Sequence, residues 1–213
     1  MFLGRALALA LVLGALGMPP STVGAGPVRA AATPLPAYVI DAAFDPAART
    51  ITGTVEAHFI NTSPAPIRDV ALVLFPNRFA VPDSRIDDIN RPFVYPRETF
   101  VAGGMTVAQV ETRVAAPPPP KRAKGVPVPP AEPAWETVAA PRRDAIAGHP
   151  DTLLRITLPT PLAPGATATV RARFRTLFPE RYGPFGSADG RFTAIDGWFP
   201  ALPTLAADGT WDT

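Results

Sequence analysis

The chain has no cysteine, only two histidines and only two lysines among its 213 residues. Without thiols it can build neither a disulfide scaffold nor a thiolate metal site, and it carries no cysteine for a lipoprotein anchor. Serine is almost as scarce. Beyond the first 32 residues only Ser63, Ser84 and Ser187 remain, and none sits in a Gly-x-Ser-x-Gly elbow. No His-Glu-x-x-His pair is present, and a catalytic zinc site needs three protein ligands on a fixed scaffold. No apolar run reaches the roughly 20 residues needed to span a bilayer. Twenty-nine scattered prolines leave little room for helices longer than two turns.

At the N-terminus, Arg5 precedes an apolar run from Ala6 to Leu16. Small residues follow at Val23-Gly24-Ala25 and Ala30-Ala31-Ala32. This order is that of a secretory signal peptide over residues 1–32; the alternative is an uncleaved anchor. Removing it takes away Arg5 and Arg29, leaving 18 basic residues against 18 acidic. A neutral chain gives no electrostatic reason to expect nucleic acid or a membrane surface as a partner. An exported, periplasmic or extracellular domain over 33–213 is expected, with no membrane contact beyond export.

The order of strands is the informative part. Tyr38 to Phe44 leads into the turn Asp45-Pro46-Ala47-Ala48, and the chain then alternates from Arg49 to Asn61. Ile51, Val55, Ala57 and Phe59 fall on one face, with Thr50, Thr52, Thr54, Glu56 and His58 on the other. That period of two marks a half-buried antiparallel strand. Val70 to Phe75 is apolar on both faces and reads as a more buried strand. Met105 to Val114 alternates with a slip near Gln109, as at a bulge. Residues 115–149, with Pro117 to Pro120, Pro127, Pro129, Pro130 and Pro133, read as a flexible, polyproline-like insert.

After the insert, Leu154, Ile156 and Leu158 share a face. Thr167 to Thr176 sets Ala168, Val170, Ala172 and Phe174 against Thr167, Thr169, Arg171, Arg173 and Arg175. Pro164-Gly165 between them suits a type II turn, so the two strands are expected to pair as a hairpin. The fold class is all-β: an antiparallel β-sandwich or saddle-like open β-sheet with a proline-rich loop insert.

The candidate sites are few, and each has a plainer reading. His58 lies on a polar strand face, and His149 sits beside Pro150. Asp83, Asp87, Asp88 and Asn90 offer oxygen ligands but lack the spacing and glycine of a calcium loop. Ser187 reads as a turn residue. Arg171, Arg173 and Arg175, extended by Arg181, could meet an acidic partner, or else bond neighbouring strands and solvent. Trp198-Phe199-Pro200 with Trp211 could form a stacking platform, or else pack the core. No catalytic, cofactor-binding or metal-ligating residue is singled out.

Four segments carry a resemblance. Tyr38-x-Ile-Asp-x-x-Phe-Asp-Pro-x-x-Arg-Thr-Ile-Thr-Gly-Thr-Val, with Phe59-Ile-Asn61, resembles the opening of the N-terminal β-domain in the aminopeptidase N family of zinc metallopeptidases. Leu72-Val-Leu-Phe-Pro-Asn77 resembles that domain's next strand and its exit. Asp151 to Gly165 with the Thr167–Thr176 strand resembles a later hairpin. Gly197-Trp-Phe-Pro200 followed by Asp208-Gly209 is similar to the tryptophan-tyrosine-proline segment of many members. In that family the zinc, the general-base glutamate and the Gly-x-Met-x-Asn substrate loop belong to a thermolysin-like domain that follows, and none of those motifs is present here. The resemblance implies a non-catalytic N-terminal piece, incomplete in its last strands, whose partner is a downstream catalytic domain holding zinc and acting on peptides. An apolar edge is then expected to stand exposed. The reading from a different class is a free-standing secreted β-sandwich that binds a ligand or protein through the Trp198 region or the arginine stripe.

Overall fold

The computed structural model describes residues 34–115 and 133–213. Residues 1–33, which include the segment read as a signal peptide, and the proline-rich stretch 116–132 lie outside the described residues. The strands are β1 (Ala37–Asp45), β2 (Thr50–Ile60), β3 (Ile67–Val73), β4 (Gly104–Val114), β5 (Glu136–Thr137), β6 (Arg142–Ile146), β7 (His149–Leu162), β8 (Thr167–Leu177), β9 (Phe185–Ala188), β10 (Arg191–Ala194), β11 (Thr204–Leu205) and β12 (Trp211–Asp212). A 3-10 turn at Phe75–Phe79 and a single helical turn at Arg91–Val94 interrupt the connection from β3 to β4.

The strands form two open antiparallel sheets, not a closed barrel. One has the order β1-β2-β8-β4-β5 and the other β3-β7-β6, while β9-β10 and β11-β12 are small hairpins. The β1-β2 hairpin closes as the sequence implies. Asp45 Oδ1 accepts from the backbone N–H of Ala47 at 2.9 Å and of Ala48 at 3.0 Å, an Asx turn that frees Pro46 to set its own φ. The slip expected near Gln109 is a bulge: the β4–β8 register shifts between Ala108 and Val110, and Gln109 adopts a φ of 51°.

Period-two alternation sends Ile51, Val55 and Phe59 of β2 and Val170, Ala172 and Phe174 of β8 inward. There they meet Val70, Leu72, Leu154, Ile156 and Leu158 of the second sheet in one buried cluster. Each large member contributes about 1.5–3 kcal/mol on full burial. Val70, Ala71 and Leu72 of β3 are all buried, as is Leu74 just after it, in keeping with the doubly apolar sequence.

Three expectations are corrected. β7 and β8 do not pair: β8 lies between β2 and β4 in one sheet, whereas β7 lies between β3 and β6 in the other. The turn itself is as read, with Ala166 N–H donating to Ala163 O at 3.0 Å and Gly165 at φ 74°. A type II turn splays its flanking strands, whereas hairpins favour the primed turns, so this one serves as a corner between sheets. Ser187 lies in β9, opposite Phe192, and the turn falls one step later at Asp189-Gly190. Finally, β5 and β6 are ordered strands inside the segment read as insert, with Arg142 to Ile146 paired to β7 and Glu136-Thr137 to β4.

Candidate functional site

The outer face of the five-stranded sheet gathers His58, Arg171, Arg173 and Arg175 of the residues singled out in the sequence. Register places Glu56 of β2, Arg171 of β8 and Glu111 of β4 in one cross-strand row. Arg171 Nε donates to Glu111 Oε2 at 3.0 Å, and its Nη1 lies 3.6 Å from Glu56 Oε1. The Trp135 ring covers the row, its centroid 4.0 Å from the Arg171 guanidinium carbon and 4.4 Å from that of Arg113. His58 Nδ1 is 2.9 Å from Thr169 Oγ1, and its Nε2 is 4.0 Å from Glu56 Oε2. These contacts zip neighbouring strands together, each half-exposed pair adding only about 0–1 kcal/mol. Arg173 and Arg175 are exposed and have no ion-pair partner among the described residues. Arg181 leaves the stripe altogether, its guanidinium carbon lying 4.5 Å from the centroid of Phe79.

The remaining candidates are dispersed. His149 opens β7 in the other sheet, and its carbonyl accepts from Thr152 Oγ1 at 2.7 Å. Ser63 is buried, its Oγ 2.7 Å from Asn61 Oδ1 and 2.8 Å from Ala65 O. Ser187 Oγ donates to Pro179 O at 3.2 Å, and Ser84 lies exposed in a turn. Asp83 accepts three bonds from Arg85, through its backbone N, Nε and Nη2, and these hold its carboxyl well below the usual carboxylate range. Asp87 accepts from Asn90 N and Nδ2, both at 2.8 Å, while Asp88 stands exposed. No group of three metal-ligating side chains occurs among the described residues.

Trp198 and Trp211 pack inward. Trp211 is buried, meets Phe59 edge-on at 5.6 Å and donates Nε1–H to Asp69 O at 3.0 Å. Trp198 lies 6.2 Å from Phe174 and 5.0 Å from Phe199, which in turn meets Tyr38 at 5.4 Å. Leu202 N–H donates to the Tyr38 hydroxyl at 2.9 Å; burial pushes the phenol upward, against the pull of that bond.

Several polar and glycine residues occupy joints between the sheets or between paired strands. Asn61 at the end of β2 donates from Nδ2 to Leu162 O at 2.8 Å and to Ala65 O at 2.9 Å. Asn77 donates to Asp151 O of β7 at 2.7 Å and accepts from Met105 N–H of β4 at 2.6 Å, so it too bridges both sheets. A Cβ at Gly53 would come within 2.5 Å of Asp41 O on β1. At Gly197 it would lie 2.7 Å from the Phe75 side chain. The next residue joins the sheets, since Trp198 O accepts from Thr176 Oγ1 of β8 at 2.8 Å, and Ala201 exchanges backbone bonds with Val73 of β3.

Sequence reasoning missed Glu111, Trp135 and Glu180. Glu180 Oε2 is 2.9 Å from Arg97 Nε, and its Oε1 is 3.1 Å from Arg49 Nη1, close enough for ion pairing but not aligned as a hydrogen bond. None of these contacts follows a local spacing; each joins segments far apart in the chain. The fold and these residues together define a two-sheet antiparallel β-domain whose polar side chains mainly hold its joints and strands. No family model matches the chain, and no curated protein matches it significantly.

Proposed function

We propose that residues 33–213 form the N-terminal β-domain of an exported, aminopeptidase-like zinc metallopeptidase. The domain is non-catalytic, packs against a catalytic domain and helps to wall off its substrate cleft. Zinc, the general base and peptide hydrolysis belong to that second domain. The observation that supports this reading best is the placement of Gly53, Asn61, Asn77 and Gly197. They come from the resembling segments, and all four sit where strands or sheets are joined. A resemblance resting on joints speaks for common architecture and leaves the chemistry elsewhere.

The β1 strand adds to it. Nine residues long, it forms the sheet's outer edge, with Val39 60 % and Phe44 47 % exposed. An edge of that length with so little charge is a template for pairing or a face for a neighbouring domain. A free-standing ligand-binding module is the rival reading. Of its two proposed surfaces, the aromatic one is spent, since Trp198 and Trp211 pack against the core, and Arg171 of the arginine stripe is bridged on both sides.

Sequencing the transcript past the Thr213 codon tests the proposal directly. Continuation in frame to a His-Glu-x-x-His helix is the expected result. A stop codon there, together with a monodisperse 33–213 protein that melts cooperatively, would overturn it. N-terminal sequencing of the exported product checks the leader, which is expected to be absent from it.

A further inference from the structure

Beside the 3-10 turn lies a cavity of about 190 Å³, walled by Phe75, Phe79, Val81, Tyr95, Phe100 and Pro184, with Arg78 and Arg181 on its lining. Arg181 is held rather than mobile. Its backbone N–H donates to Ser187 O at 3.1 Å, and its stem runs so close to Gly186 that a Cβ there would meet Arg181 Cγ at 2.6 Å. The guanidinium lies on Phe79, which stacks on Phe185 at 5.7 Å, and Phe185 stacks on Phe178 at 5.0 Å. A fixed cation thus caps a column of three rings.

Among the described residues that cation has no hydrogen-bond acceptor. Arg181 Nε is buried without a hydrogen-bond partner, and its guanidinium forms no ion pair among the described residues. The carboxylate on the same lining, Asp83, is bonded twice by the Arg85 guanidinium. Arg78, exposed, likewise has no ion-pair partner among the described residues. Burial pushes the Arg181 pKa down and Arg78 adds to it, while Tyr95 and the Asp83 carboxylate work against it without reversing it, so an incoming anion would relieve an existing penalty. The larger depression lined by Arg49, Arg97 and Arg191, about 740 Å³, differs on this point: Arg49 and Arg97 already share Glu180.

We propose that this cavity binds an apolar group bearing a carboxylate, the apolar part among Phe79, Tyr95 and Phe100 and the carboxylate on Arg181 and Arg78. The volume suits one aromatic or branched aliphatic group, since an apolar cavity of about 150 Å³ accommodates benzene. A guanidinium fork matches a carboxylate in two parallel N–H···O bonds. Such a ligand is either a free aryl or alkyl carboxylic acid or the C-terminal residue of a peptide. The site does not depend on a downstream domain.

Titration followed by NMR, with N-acetyl-L-phenylalanine, 3-phenylpropanoate and N-acetyl-L-phenylalaninamide as probes, tests it. At least one acid is expected to shift the resonances of Phe79, Tyr95 and Phe100, and the uncharged amide to bind about tenfold more weakly or less. The tighter of the two acids identifies the source of the carboxylate. Arg181→Gln should abolish the preference for acid over amide, while Arg173→Gln on the outer sheet face leaves it unchanged. Should Arg181→Gln not fold, Arg78→Gln at the exposed position is expected to narrow the preference. The proposal fails if neither acid shifts those rings at millimolar concentration, if the amide binds as well as the acids, or if the folded arginine variant keeps the preference.

Discussion

The side-chain amide of Asn61 donates to the carbonyl oxygen of Leu162 at 2.8 Å across 101 residues of chain, fastening the end of β2 to the end of β7. The two strands belong to different sheets. Backbone bonds complete the joint: Gly165 N–H donates to Asn61 O at 2.8 Å, and Asn61 N–H donates to Ala166 O at 3.0 Å. The corner that a hairpin reading mistakes for a ladder is therefore held by one buried asparagine.

Replacing it should be costly. Asn61→Ala takes the side-chain donor from Leu162 O and the acceptor from the Ser63 N–H in a buried place, while Ala65 O keeps its bond from Ser63 Oγ; each orphaned group costs about 1–3 kcal/mol before relaxation. A net loss of about 2–4 kcal/mol is expected in urea unfolding. A loss below about 0.5 kcal/mol, the range of an ordinary surface change, would remove Asn61 from the joint.

Thr112 shows the opposite case. It points into the core from β4, is 0 % exposed, and its hydroxyl has no hydrogen-bond partner among the described residues. Thr112→Val exchanges that hydroxyl for a methyl group of similar size. Removing the desolvation penalty should stabilise the protein by about 1 kcal/mol. For a chain of this length that is a rise in Tm of about 2–4 °C. An unchanged or lower Tm would mean the hydroxyl is satisfied in solution.

How far the fold can be read from sequence depends on whether its cause is local. The faces of β2 and β8 follow from alternation, so Ile51, Val55, Phe59, Val170, Ala172 and Phe174 are all buried as read. The bulge at Gln109 was visible as a slip in that alternation. Sheet membership was not, because Thr167 to Leu177 could pair with either neighbour and the choice is made by β2 and β4. Pro164-Gly165 did hold a clue, since a type II turn is a poor hairpin closer. β5 and β6 were lost in a proline-rich composition, and Trp135, which covers Arg171 and Arg113, was lost with them. Arg181 was read as an extension of a strand stripe, yet the strand ends before it. Its place over Phe79 depends on a contact about a hundred residues away in sequence, which no periodicity encodes.

The Asp83–Arg85 pair makes a pH prediction with a definite sign. Hydrogen bonds from Arg85 stabilise the charged carboxylate, so the native pKa lies below the unfolded value of about 3.9. The native state then binds fewer protons than the unfolded state in that window, and the pair's stabilisation is present above it. It is lost as pH falls through the depressed native pKa. Arg85 is exposed and Asp83 partly so, and screening keeps the pair's effect on global stability small. A carbon-detected carboxyl titration should therefore place Asp83 below the other aspartates, and Arg85→Ala, which removes the guanidinium but keeps the backbone N–H bond, should raise it part of the way back toward about 3.9. Identical titration in the two proteins would show that the pair does not persist in solution.

Two glycines separate backbone strain from steric contact. Gly165 at φ 74° and Gly197 at φ 69° both occupy the left-handed region, which disfavours any residue with a Cβ. At Gly165 an added Cβ meets nothing within 4 Å, whereas at Gly197 it would lie 2.7 Å from the Phe75 side chain. Phe75 cannot simply withdraw, because its ring already meets Phe79 at 5.3 Å and Phe185 at 6.1 Å. Gly165→Ala should thus cost about 1 kcal/mol from conformation alone. Gly197→Ala should cost that plus the repacking of the aromatic cluster, about 2–4 kcal/mol in total. Parallel urea melts of the two variants isolate the second component. Equal losses would mean that the Gly197 segment yields freely, and that the approach to Phe75 does not help to tie residues 197–201 to the sheets.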